Sequence, residues 1–161
     1  MVAVTELNSQ PRHCEGFARI RRTIAGYALR HRPDFARDVA GAIMMGVLEV
    51  GTNLFGKTAV VRAAGEVDMS TAPELRARIL DACAAVREPA PVVVDLTGIT
   101  FFGSSGISVL MAAYQRCQEQ RTPLRVVATT RVVLRTLHIA GLGEVLDIRD
   151  SLSDATRIQA A

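Results

Sequence analysis

The chain predicts an α/β fold, a sheet with parallel central strands and helices packed against it, preceded by an N-terminal helical extension. Three observations carry that prediction. From residue 58 onward, short β-branched runs alternate with stretches of helical period. Clusters of Pro, Gly, Ser and Thr separate them. Val92, Val93 and Val94 follow one another without polar alternation, the mark of a strand covered on both faces. Strands that alternate with helices imply right-handed crossovers and hence parallel central strands.

Residues 1–49 read as the extension and 50–161 as the domain. Residues 1–12 are polar and include Pro11. Ile20, Ile24, Tyr27 and Leu29 then keep a helical period over residues 17–30. Pro33 and Asp34 suit the start of a second helix carrying Phe35, Val39, Ile43 and Leu48. Packing on the domain, a homodimer surface and a partly ordered arm are the roles open to this segment. Gly51-Thr52-Asn53 reads as a turn, with Leu54 in a strand that pairs with the one predicted over residues 58–65.

A helix follows, with Ser70 or Thr71 as its cap, Pro73 in its first turn and Glu74 beside the positive end of its dipole. Leu75, Ile79, Leu80, Cys83 and Val86 line its apolar face. Pro89 and Pro91 end it, and residues 91–96 form the doubly covered strand. The next helix spans 105–117, with Ile107, Leu110, Met111 and Tyr114 as packing positions. Residues 124–128 read as a buried strand, and Thr129-Thr130 as the cap of a helix that Gly141 and Gly143 stop. A last strand covers 145–148. Ser151 and Asp154 then start a short terminal helix in the manner of a capping box.

Composition narrows the function classes. At 161 residues the chain fits one domain with an appendage. It is 49% hydrophobic but only 4% aromatic, so Val, Leu, Ile and Ala must fill the core. The net charge is +3 and the arginines are dispersed, which argues against a nucleic-acid partner. Cys14, Cys83 and Cys117 are odd in number and widely spaced, which disfavours a zinc site. Cys83 and Cys117 sit among apolar helical residues and are expected to be buried thiols. The apolar stretch 39–48 is too short to cross a bilayer, and no secretory leader pattern precedes it. Those two points lead to an expected cytoplasmic setting without membrane insertion.

Chemistry concentrates at Phe101-Phe102-Gly103-Ser104-Ser105-Gly106. Two hydroxyls stand at the start of a helix, beside amides that have no intrahelical partner. Serine there is either an ordinary cap or a phosphate acceptor that changes the charge of a docking face. One of the two phenylalanines anchors the loop and the other is free to face outward. Gly103-Ser104-Ser105-Gly106 is not a GxSxG nucleophile elbow, and no Walker A or GxGxxG loop is present. His13, His31 and His138 suggest no triad. A hydrolase or phosphotransferase would need Asp68, Asp95 and Ser105 to converge. The simpler reading has Asp68 and Asp95 ordering their own turns through Asx-type hydrogen bonds.

Taken together, three segments resemble the STAS domain of stand-alone anti-sigma factor antagonists. They are Gly65-Glu66-Val67-Asp68 with Ala72-Pro73-Glu74-Leu75, then Val93-Val94-Asp95-Leu96-Thr97, then Phe101-Phe102-Gly103-Ser104-Ser105-Gly106-Ile107. The resemblance covers residues 50–153 and implies a STAS-like small mixed β-sheet with helices mainly on one side. It implies a non-enzymatic regulator that needs neither cofactor nor metal. Such a regulator binds a histidine-kinase-like anti-sigma factor and frees the sigma factor. The resemblance also implies that this kinase phosphorylates Ser105, with Ser104 as the alternate, and that a PP2C-type phosphatase reverses the step. The implied contact face comprises Glu66, Asp68, Phe102, Gly103, Ser104, Ser105, Gly106 and Ile107, with Gly65 and Asp95 structuring its turns. The aspartate that the family places before the serine pair is Gly103 here. That departure motivates a second reading, a STAS scaffold or small-ligand sensor that works without a phospho-switch.

Overall fold

The computed structural model describes residues 47–157. Five strands form one sheet in the order β1-β2-β3-β4-β5. They are β1 (Glu49–Phe55), β2 (Thr58–Val67), β3 (Val92–Phe102), β4 (Leu124–Val127) and β5 (Asp147–Arg149). β1 is antiparallel to β2, and the remaining pairs are parallel. Helices α1 (Ala72–Ala85), α2 (Ser104–Glu119) and α3 (Arg131–Ile139) connect the parallel strands, and α4 (Leu152–Ala155) ends the described chain. Each crossover steps to the next strand in one direction. A constant handedness therefore lays α1, α2 and α3 on the same face.

The pleat divides the core accordingly. Ala59, Val61, Val92, Val94 and Val126 meet Leu75, Ile79, Leu110, Val133 and Leu137 on the helical face. Val60, Val93 and Val127 point the other way and are covered by Leu152 and Ala155 of α4. The central strands are thus buried on both faces, as their unbroken valines required. The capping expectation for α4 holds, since Asp154 N donates to Ser151 Oγ at 3.2 Å.

Several local expectations are corrected. Gly51-Thr52-Asn53 lies inside β1, opposite Arg62, Val61 and Val60. The turn is Gly56-Lys57, where Gly56 takes φ +62°, as the first central residue of a type II′ hairpin does. Leu48 is buried in the core just before β1 rather than lying on a helix of the extension. The rest of the two extension helices falls outside the described residues. Neither Thr71 nor Thr130 caps its helix through its side chain. The doubly covered strand also runs six residues past Leu96, to Phe102. β3 carries one residue more than β2 at two places, between Asp95 and Gly98 and between Ile99 and Phe101. These bulges carry the strand through Thr97 and Gly98 without ending it.

Candidate functional site

The site is built where β2 and β3 end side by side. Gly103 N donates to Val67 O at 2.9 Å, which ties the serine turn to the loop after β2. Gly103 is the N-cap of α2, with φ −84° and ψ 179°. That extended backbone is open to any residue. Ser104 and Ser105 are therefore the first two helical residues, and no side-chain cap bond forms. Among the described residues neither hydroxyl has a hydrogen-bond partner. Ser104 is exposed and Ser105 half-buried. The ordinary-cap reading fails here, because a residue already inside the helix cannot fold its side chain back as a cap does.

The neighbouring loop is strongly ordered. Asp68 Oδ1 accepts from Ser70 N at 2.8 Å, Ser70 Oγ at 2.7 Å and Thr71 N at 3.0 Å. Thr71 Oγ1 donates to Glu66 O at 2.8 Å and accepts from Asp68 N at 2.9 Å. The Ser70 hydroxyl and the Thr71 and Ser70 amides hold the Asp68 carboxyl down at about 2, against an ordinary 3.8. The folded chain thereby favours the anion. This stabilisation is complete above the ordinary value and fades as the pH falls through about 2. Replacing Asp68 by Ala should therefore lower the thermal midpoint by a constant amount from neutral pH to about pH 5. Between about pH 4 and 2 the gap to wild type should narrow, and scanning calorimetry across that range reads it directly.

Between α1 and α2 lies a cleft of about 430 Å³, lined by Met69, Pro73, Arg76, Leu80, Ser105 and Val109 among others. Met69 stands at its rim, 86% exposed. Pro73, Ala77 and Leu80 form a second stripe on α1, spaced i, i+4, i+7, separate from the Leu75–Ile79 face. That second stripe was readable in the sequence, as was the i, i+4 pair Ser105 and Val109. Met69, an apolar residue in a polar loop, was a further signal. Of these residues, only Ser105 belongs to the contact face that the resemblance implies.

Some expected residues move out of the contact face. Phe102 is only 4% exposed and closes the core under the turn, whereas Phe101 is 49% exposed. Gly106 is buried against Phe102, and a Cβ there would meet the ring at 2.6 Å. Ile107 is half-buried and packs on the core. Gly65 sits within β2 rather than in a turn. Asp95 lies in β3, not in a loop. It accepts from Thr97 N at 3.0 Å and Thr97 Oγ1 at 2.7 Å, and pairs with Arg62 at 3.5 Å. Arg62 precedes Val67 by five strand residues, which puts Asp95 roughly 16 Å back along the sheet from the serine turn. Asp68, Asp95 and Ser105 do not converge. Among the described residues no group of three His, Cys, Asp or Glu is placed to hold a metal ion. No described helix is long and apolar enough to cross a membrane.

The mixed sheet thus carries α1, α2 and α3 on one face and ends, at one edge, in an ordered acidic loop and two serines without side-chain hydrogen bonds among the described residues. Residues 51–155 match the STAS domain model, and the chain belongs to that family, among the anti-sigma factor antagonists. It is 31% identical over 96 residues to the anti-sigma-F factor antagonist RsfA of Mycobacterium tuberculosis, covering 60% of this chain and 75% of RsfA. RsfB of the same organism, also an anti-sigma-F factor antagonist, is 33% identical over 97 residues, covering 60% of this chain and 77% of RsfB. The crystal structure of an anti-sigma factor antagonist from Mycobacterium paratuberculosis superposes with a TM-score of 0.62 at 30% identity, covering 68% of this chain and 92% of that one.

Proposed function

We propose that this chain binds a histidine-kinase-like anti-sigma factor through the edge formed by Glu66 at the end of β2, Asp68 in the loop after it, the serine turn and the α1–α2 cleft, and so releases the sigma factor. Two members of the same family that it resembles carry an anti-sigma-F factor antagonist name. The observation that carries the reading is the Ser105 hydroxyl. It is half-buried, bonded to nothing in the described residues, and set in the wall of an apolar cleft. A partner side chain inserted between α1 and α2 comes into contact with it.

Phosphate on Ser105 adds about two negative charges and three acceptor oxygens at the start of α2. The unpaired amides of the first turn accommodate that charge, so the domain stays folded. The partner, in contrast, meets new bulk and a desolvated anion, and the interface weakens. The anti-sigma factor, acting as the kinase, spends ATP to place the phosphate, and a PP2C-type phosphatase removes it. Gly103 leaves the turn without the carboxylate usual in the family. A Cβ at that position would meet Phe101 and Val67 O at 3.3 Å, so the position is tight but not closed to a side chain.

Affinity capture from the native cell with the full chain should recover an ATPase-fold regulator. Incubation with that regulator and Mg-ATP should add a single phosphate, mapped to Ser105 by mass spectrometry. Ser105→Ala should abolish labelling and keep affinity within about threefold, whereas Ser105→Glu should weaken binding at least tenfold, about 1.4 kcal/mol. Capture of no such regulator would remove the partner. Equal affinity for the wild type, the phosphorylated chain and both variants would remove the switch and favour the scaffold or sensor reading.

A further inference from the structure

We propose that Cys83 and Cys117 are a modification site, a thiol pair that a hydroperoxide converts into an intrachain disulfide joining α1 to α2. Their sulfurs lie 3.2 Å apart, and both residues are buried. A disulfide needs about 2.0 Å, so the sulfurs must close by roughly 1.2 Å. Each thiol has the other as its hydrogen-bond partner. Two side chains that could each have been a plain apolar residue are therefore in mutual contact between neighbouring helices.

The pair also has an approach. Cys117 lines a second cleft of about 410 Å³, together with Tyr114, Gln118, Arg121, Pro123 and Asp147. That opening is on the side of α2 away from the Ser105 cleft, and it admits a molecule as small as hydrogen peroxide. The hydrogen bond to Cys83, with burial, keeps the Cys117 thiol above its ordinary pKa, while the bond from Cys117 favours the thiolate of Cys83. The first oxidation is accordingly slow, and the second sulfur is ready to attack.

The steps balance. Peroxide transfers one oxygen to Cys117 Sγ; its O–O bond breaks, a sulfenic acid forms, and one water leaves. Cys83 Sγ then attacks Cys117 Sγ. The S–S bond forms as the S–O bond breaks, and the departing hydroxide takes the remaining thiol proton as a second water. Two thiols have lost two electrons and two protons, and the peroxide has been reduced.

Cys117 follows Ser105 by twelve positions on α2, roughly 18 Å. The bridge would therefore staple the C-terminal ends of α1 and α2 and leave the serine turn uncovered. This inference stands independently of the proposed partner.

The test treats the full reduced chain with hydrogen peroxide in the millimolar range, blocks residual thiols under denaturing conditions and maps the product. The expected product is a monomer about 2 Da lighter, with residues 83 and 117 in one cross-linked peptide. Its thermal midpoint should rise by at least ~5 °C and return on treatment with dithiothreitol. Cys14→Ser should behave as wild type. Cys83→Ala and Cys117→Ala should form no such cross-link, and their midpoints should not rise with peroxide. Because the mapping is done on unaltered protein, it decides the matter even if a variant folds poorly. Sulfinic or sulfonic acid at either position without a cross-link, a bridge to Cys14, or thiols that survive the treatment would overturn the proposal.

Discussion

Gly65→Ala should cost about 4 kcal/mol of folding stability and lower the thermal midpoint by more than about 10 °C. Gly65 sits in β2 at φ +105°, a backbone region that L side chains rarely adopt. A Cβ there would stand 2.1 Å from Val47 O, 3.0 Å from Val47 C and 3.3 Å from Leu48 Cα. All three are backbone atoms, so no rotamer change relieves the clash. The segment entering β1 would have to lift off β2 at the point where Leu48 enters the core. Gly65 also pairs with Ile99 at the second bulge, and its carbonyl accepts from Thr100 Oγ1 at 3.1 Å. Movement there would disturb the positions of Glu66 and Asp68. Gly56→Ala provides the control. Gly56 also has a positive φ, but a Cβ would meet nothing within 4 Å, so that variant should lose only about 1 kcal/mol to backbone strain. Thermal unfolding followed by circular dichroism compares the two. Equal losses would show that the approach of Val47 is not what requires glycine at residue 65.

Arg125→Ala should cost about 3 kcal/mol, roughly 10 °C in thermal midpoint. Arg125 is 4% exposed in the middle of β4, a position where a guanidinium persists only with partners. Its Nη1 donates to Ala155 O at 2.8 Å and also to Arg157 O, while Nε faces Asp147 Oδ2 at 3.3 Å. The side chain thus fastens α4 and the segment after it to the sheet face that Val60, Val93 and Val127 occupy. Truncation would leave two carbonyls to find new donors and would remove packing beneath α4. Asp147 would be less affected, because Arg149 still holds it through Nε at 2.6 Å and Nη2 at 3.0 Å. Lysine should not restore the loss, since one ammonium cannot reproduce the planar fork reaching carboxylate and carbonyls together. Arg149→Ala should cost under about 1 kcal/mol, because its ion pairs are partly exposed. Chemical denaturation of the three variants reads the order.

Much of the fold was legible because its signals are local. The helix periods, the unbroken valines of β3 and the Ser151–Asp154 cap each depend on residues within a turn or two of one another. The corrections arise where a distant segment overrides such a signal. Gly51-Thr52-Asn53 has turn composition, yet pairing with residues 60–62 holds it extended. Thr97 and Gly98 look like the end of a strand, yet the bulges against β2 let β3 continue through them. The two bulges offset each other: the first turns Ile99 rather than Gly98 inward, and the second restores the alternation of Val92 and Val94, so that Phe102 faces inward and Phe101 outward.

The candidate site divides in the same way. A serine pair at a helix start and an acidic loop before a proline-started helix can be read from neighbouring residues, since capping and dipole effects act over one turn. The order of strands and helices and the parallel run of the central sheet follow from alternation and crossover handedness. Only the tertiary structure joins Gly103 to Val67, opens the cleft around Ser105 and brings Cys83 to Cys117. It alone supplies carbonyls from residues 155 and 157 to a buried Arg125. These contacts link positions that are far apart in the chain, and the packing of α1 and α2 on one face of the sheet, with α4 on the other, determines which of them meet.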